Sequence, residues 1–143
     1  MVEINYLALL VAAVLNMILG SIWYGPLFGK QWIALMRFDP QMVAEMQAKG
    51  SKAMWKSYLL SFIGALIMAF VLFKVIVYKT GFLQESGMGL GFEAGFWLWF
   101  GLVAPVTLGM VIWEGKSWKL WFILNSYYLT SLVVNGAILA AWM

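Results

Sequence analysis

The side chains able to do chemistry are few, and their types exclude more than they allow. The sequence holds no Cys and no His, which removes disulfide and thiol chemistry, haem ligation by imidazole and the common zinc sites. Its six acids are Glu3, Asp39, Glu45, Glu85, Glu93 and Glu114. None falls near the middle of an apolar stretch, where a proton relay across a membrane needs one. No metal site and no cofactor is therefore expected. Two groups of residues remain. Glu114, Lys116 and Lys119 cluster between Trp113 and Trp121; they form either an ion pair that fixes a hairpin or a binding site for a headgroup or substrate charge. Asn125, Tyr127, Tyr128, Ser131 and Asn135 stand in an otherwise apolar stretch. At about 100° per residue Tyr127, Tyr128, Ser131 and Asn135 share one helical sector of roughly 100°, with Asn125 about 60° from Tyr128. Such a stripe should not face lipid: it either lines a path or binding pocket, or packs as a seam in which Asn bonds across a helix contact. Asn16 belongs with it, in a row spaced by four with Ala8, Ala12 and Gly20, as do the small residues Ser57, Ser61, Ala65 and Ala69.

The elements that must carry these residues follow from composition. Of 143 residues 64% are hydrophobic and 10% charged, mean hydropathy is +0.89, and a soluble domain carries about 25% charged residues. A water-soluble globule and a disordered tail are excluded, and nine Lys and Arg against six acids are too few for a nucleic-acid partner. Four stretches reach the roughly 20 residues needed to cross a bilayer: residues 4–24, 55–78, 92–113 and 118–142. The expected fold is all-α, one domain over residues 1–143, an integral membrane bundle of four transmembrane helices. The start Met1, Val2, Glu3 is acidic and Lys-free, so the first span reads as a retained helix rather than a cleaved leader, and Pro26 should stop it. Residues 28–49 read as two amphipathic helices on the membrane surface. In the second, Asp39 caps, Pro40 takes the first position, Glu45 and Lys49 pair four apart and Gly50 stops the helix. Gly81, Gly87, Gly89 and Gly91 read as a flexible turn over residues 80–91, since the strand and Lys of a phosphate cradle are missing. In the third span Pro105 cannot bond the carbonyl of Gly101; the pair should kink the helix and leave an acceptor open at mid-depth, with Asn16, Asn125 or Asn135 as its donor.

One set of residues has the character of a family signature: Trp23, Tyr24, Pro26, Leu27, Phe28, Gly29, Lys30 and Trp32 in the first half, then Glu114, Gly115, Lys116, Trp118, Lys119, Leu120, Tyr127 and the run from Gly136 to Leu139 in the second. Over nearly the whole chain this resembles the bacterial membrane family catalogued as domain of unknown function 1761. The resemblance implies a small four-span protein of the bacterial inner membrane, and it implies no reaction. In the family a His often follows the Tyr that matches Tyr127, whereas Tyr128 stands there in this chain.

The reading that results is a non-enzymatic membrane protein, since a lipid-modifying enzyme would have only Glu114, Lys116, Tyr127 and Tyr128 to work with. It should self-associate, through the small-residue row of the first span or the Gly- and Pro-containing third span, around a polar path for a small neutral solute. The alternative is an accessory or lipid-binding protein whose stripe only packs, and whose partners are membrane lipids held at a basic, Trp-rich cytoplasmic face. Lys30, Arg37, Lys49, Lys52, Lys56, Lys116 and Lys119 lie on one side of the membrane, with Trp23, Trp32, Trp55, Trp113, Trp118 and Trp121 as interface markers; Lys74 and Lys79 lie on the other, with Trp97, Trp99 and Trp142. The positive-inside rule then puts both termini in the periplasm. A C-terminal fusion should be active as a periplasmic reporter alone, and comparable activity of a cytoplasmic reporter would overturn the orientation.

Overall fold

The computed structural model describes residues 4–143; the acidic start at Glu3 lies outside them. All the regular structure in the described residues is helical, and four helical stretches are long and apolar enough to cross a membrane: Tyr6–Leu27, Ser51–Leu83, Met88–Ile112 and Trp118–Ala141.

Helix α1 (Tyr6–Ile22) begins where the Asn5 side chain accepts the Ala8 N–H at 3.1 Å, an N-cap that satisfies one orphan donor. The stop expected at Pro26 does not occur. The chain widens into a π-helical turn, Trp23–Leu27, that passes through Pro26 and closes with the Phe28 N–H on the Trp23 carbonyl at 2.9 Å. A wider turn leaves room for the proline ring, which an α-helical turn would press against the carbonyl four residues back. Helix α2 (Gly29–Met36) follows at once. A Cβ on Gly29 would lie 2.6 Å from the Tyr24 carbonyl oxygen, so the sharp entry needs glycine.

Helix α3 (Pro40–Lys49) has the expected cap, with Asp39 accepting the Gln41 N–H at 3.0 Å, and ends at Gly50, whose φ of +69° suits glycine. Glu45 and Lys49 do not pair, and only Val43 of α3 is even half-buried. Helices α2 and α3 join the first candidate span to the second and are too short to cross a membrane themselves.

Helix α4 (Trp55–Leu83) runs 29 residues, about 43 Å at 1.5 Å per residue, and overshoots the expected end at Tyr78. Helix α5 (Met88–Leu98) starts four residues earlier than expected. The flexible glycine turn is thus reduced to residues 84–87, where Gln84 (φ 57°) and Gly87 (φ 108°) reverse the chain. An ion pair of 2.6 Å between Lys79 and Glu93 clamps α4 to α5 just below it. Gly91 belongs inside α5 because that helix meets α8 backbone to backbone: a Cβ on Gly91 would overlap the Gly136 carbonyl, one on Gly95 would overlap that of Leu132, and one on Gly136 would overlap Gly91.

Where a kink is expected at Gly101 and Pro105 the helix changes type: a π-helical turn, Trp99–Val103, precedes helix α6 (Ala104–Thr107), which contains Pro105, and α7 (Gly109–Ile112) completes the third span. Helix α8 (Trp118–Ala141), capped by Ser117 on the Leu120 N–H at 3.2 Å, is the most buried span. It packs against α5 on one side, α1 on the other and α4 behind. The apolar core occupies the half of the bundle that holds the termini, built from Ala8, Ala12, Ala69, Leu72, Phe73, Ile76, Ala94, Leu132 and Leu139. The small-residue rows divide accordingly. Ala8, Ala12, Asn16, Ala65 and Ala69 are buried inside the chain, whereas Ser57 and Ser61 lie on a half of α4 that contacts little, so the row of α1 is not free to join copies.

Candidate functional site

The polar residues of α8 are inside the bundle, as the stripe predicts, but they do not form one wall. Asn125 faces the third span. Its Oδ1 accepts the Trp99 indole N–H at 3.1 Å, and its Nδ2 donates to Thr107 Oγ1 at 2.9 Å and to the Trp121 carbonyl at 3.1 Å. Thr107 Oγ1 also accepts the Trp121 indole N–H at 3.1 Å, and its own proton goes to the Val103 carbonyl at 2.8 Å. This closed network bridges α8 to the broken stretch of the third span. Helix interruptions in membranes persist where neighbouring side chains satisfy the backbone they free. The donor expected for the Gly101 carbonyl, however, does not come from Asn16, Asn125 or Asn135: Asn125 Nδ2 is committed to Thr107 and Trp121, Asn16 packs against Ser131 of α8, and among the described residues no side-chain hydrogen bond joins Asn135 to the third span.

Ser131 and Tyr127 face α1. The Ser131 hydroxyl donates to Asn16 Oδ1, and the Tyr127 hydroxyl donates to the Asn16 carbonyl at 3.3 Å while its ring covers Gly20. One turn lower, the Trp23 indole N–H reaches Ser126 Oγ at 3.1 Å, and the Ser126 hydroxyl donates to the Ile123 carbonyl at 2.9 Å. Around these bonds the rings of Trp23, Tyr24, Trp32, Tyr127 and Tyr128 pack edge to face or tilted, with centroids 5.2 to 6.5 Å apart. Tyr128 takes part through its ring and is half-buried. Asn135, 1% exposed, has a buried Oδ1 with no partner among the described residues.

Two clefts lie at the ends of the bundle. One of about 440 Å³ is lined by Thr80, Ser86, Gly87, Met88, Ala140, Ala141 and Met143. The other, about 280 Å³, is lined by Ala34, Leu35, Arg37, Glu114, Gly115, Lys116 and Ser117. Asn16, Asn125 and Ser131 line neither. Glu114, Lys116 and Lys119 form no ion pair with one another, so the hairpin is fixed by its backbone: the Lys116 N–H bonds the Met110 carbonyl at 3.0 Å, Gly115 turns the chain at φ 67°, and Ser117 caps α8. Lys119 does not line this cleft, and Arg37, from the end of α2, joins Glu114 and Lys116 there. Among the described residues no three His, Cys, Asp or Glu side chains come close enough to hold a metal ion.

Sequence reasoning misses Thr107, Trp99, Trp121 and Arg37. Trp99 and Trp121 pass as interface markers, yet their indole N–H groups are aimed into the bundle. The available signal is depth, since Trp99 lies two residues past Trp97 toward the middle of the span and needs a buried acceptor there.

Asn125→Leu leaves the Trp99 donor unpaired, the costly case for a buried group, whereas Asn135→Leu removes an acceptor that has no partner. Unfolding in mixed micelles should show a loss of about 1–3 kcal/mol for Asn125→Leu and a change below about 1 kcal/mol for Asn135→Leu. Equal losses would mean that the Asn125 network adds nothing.

No curated protein and no solved structure matches the chain. The segment from the second residue of α1 to the last turn of α8 is the one that a family model recognises. Residues 7–140 match the model described as "Protein of unknown function (DUF1761)", and with nearly every element of the bundle inside that match, the chain belongs to this family.

Proposed function

We propose that this is a non-enzymatic accessory protein of the bacterial inner membrane, whose polar seam holds its own helices together and whose copies associate through the third span. The fate of the seam carries the reading: Asn16, Asn125 and Ser131 are buried and bonded to neighbouring helices, so the groups that a path within one chain would need are spent on packing. The excess of Lys and Arg at one end of the bundle supports a cytoplasmic place for that end and a periplasmic one for both termini.

Support for association comes from the backbone of the third span. Pro105 has no N–H, so the Gly101 carbonyl lacks its usual donor. The Ala104 N–H goes back to the Trp99 carbonyl, which deprives the Phe100 carbonyl of its donor as well. Both residues are exposed, with no atom within 4 Å of a Cβ built on Gly101, and they sit midway along the 25-residue stretch Met88–Ile112. Lipid tails offer no donor at that depth, and an open backbone acceptor there costs several kcal/mol. A second copy can approach closely at Gly101 and set its Cα–H groups against these carbonyls, and a two-fold pair places the same depths opposite each other. The rival reading, a path for a small neutral solute, draws on the same open carbonyls and would run between copies.

Ile fits at Gly101 within one chain but blocks close approach by another. Gly101→Ile should therefore be monomeric in native mass measurements that find the unaltered protein associated. Monomer for both proteins would remove the association, and solute flux into liposomes that vanishes with Gly101→Ile would favour the path over the accessory role.

A further inference from the structure

We infer that the cleft between the end of α2 and the turn that leads from α7 to α8 holds the headgroup of a phospholipid bearing both a phosphate and a primary ammonium. The inference needs the bundle to sit in a bilayer, and it is independent of association through the third span, which lies at a different depth.

Three formal charges of both signs line this one cleft, Arg37, Lys116 and Glu114, and none of them has an ion-pair partner among the described residues. They come from two segments about 80 residues apart in sequence, and each is placed by its backbone. Arg37 ends α2 in the left-handed conformation, φ 53°, which a side chain other than Gly, Asn or Asp adopts only when its surroundings hold it. Here the next residue, Phe38, is packed edge-on against Trp32 at 5.5 Å. On the facing segment Gly115 turns at φ 67° and the Lys116 N–H is bonded to the Met110 carbonyl, which fixes Glu114 and Lys116 on either side of the turn.

The chemistry of the ligand follows from the charge set. A guanidinium fork and an ammonium suit a phosphate. A carboxylate in the same cleft repels a purely anionic headgroup and accepts hydrogen bonds from a primary ammonium, which a quaternary ammonium cannot donate. The apolar wall of Ala34 and Leu35 is what the glycerol end of a lipid would meet. The exposed Trp113 and Trp118 on either side of the turn set the cleft at the depth where headgroups lie. A cleft of about 280 Å³ admits a headgroup and leaves the acyl chains in the bilayer.

The test uses the full chain in detergent, with native mass spectrometry of the lipids it retains from an equal mixture of phosphatidylethanolamine, phosphatidylcholine and phosphatidylglycerol with identical acyl chains. Retention of phosphatidylethanolamine should exceed that of phosphatidylcholine by about tenfold, the scale of one charge-assisted hydrogen bond. Glu114→Gln, an isosteric exchange at an exposed position, should bring phosphatidylethanolamine down to the level of phosphatidylcholine without lowering phosphatidylglycerol. Arg37→Asn, which keeps a residue that tolerates the left-handed conformation, should lower all three. Equal retention of the three lipids by the unaltered protein, or an ethanolamine preference that survives Glu114→Gln, would overturn the proposal. So would soluble glycerophosphoethanolamine displacing the lipid at equal concentration, since the ligand would then be a solute.

Discussion

The contact between α5 and α8 is made by backbone on backbone, and most of the bundle follows from it. Gly91, Gly95 and Gly136 bring the two helices so close that a Cβ on any of them would overlap the opposite helix. Within a bilayer apolar side chains gain nothing by leaving lipid for one another, so close van der Waals contact and bonds between helices must hold the spans together. Packing this tight draws α8 to the centre, where Asn125 and Ser131 lose access to lipid-water interfaces and find partners on the helices around it.

Those partners explain the departures from regular helix. The third span gives up α-helical geometry at Trp99–Val103, and the Trp99 indole, the Thr107 hydroxyl and Asn125 bridge the gap. The first span widens at Trp23–Leu27, and there the Trp23 indole reaches Ser126 of α8. The first irregular turn contains Pro26 and the second ends two residues before Pro105, and each is tied to α8 by an indole N–H. The second turn contains two exposed residues, Phe100 and Gly101.

The four spans were legible because about 20 apolar residues in a row have one physical meaning, and the burial of the α8 stripe was legible because polar groups avoid lipid. The Asp39 and Gly50 helix boundaries were legible as local chemistry. Other features depend on neighbours that periodicity does not name. The stripe on α8 marks a sector, yet Asn125 turns to one helix and Ser131 to another. Gly91 looks like a loop residue until the facing Gly136 supplies the reason for it to be helical. Pro26 reads as a stop because a π turn that accommodates it leaves no mark in composition. Glu114 and Lys116 look like a pair because they are adjacent in sequence, whereas Arg37, from a distant segment, is what joins them in the cleft.

A polar seam packed as tightly as that of α8 should admit no water. Because the chain has no cysteine, a single introduced thiol reports its surroundings without interference. The most direct measurement is the reaction of Ser131→Cys with a small water-soluble thiol reagent added to both sides of sealed membranes, beside Lys30→Cys at an exposed position as the accessible reference. A packed seam predicts rapid labelling at position 30 and none at 131. Labelling at 131 at a rate comparable to 30 would show water along the seam and contradict dry packing.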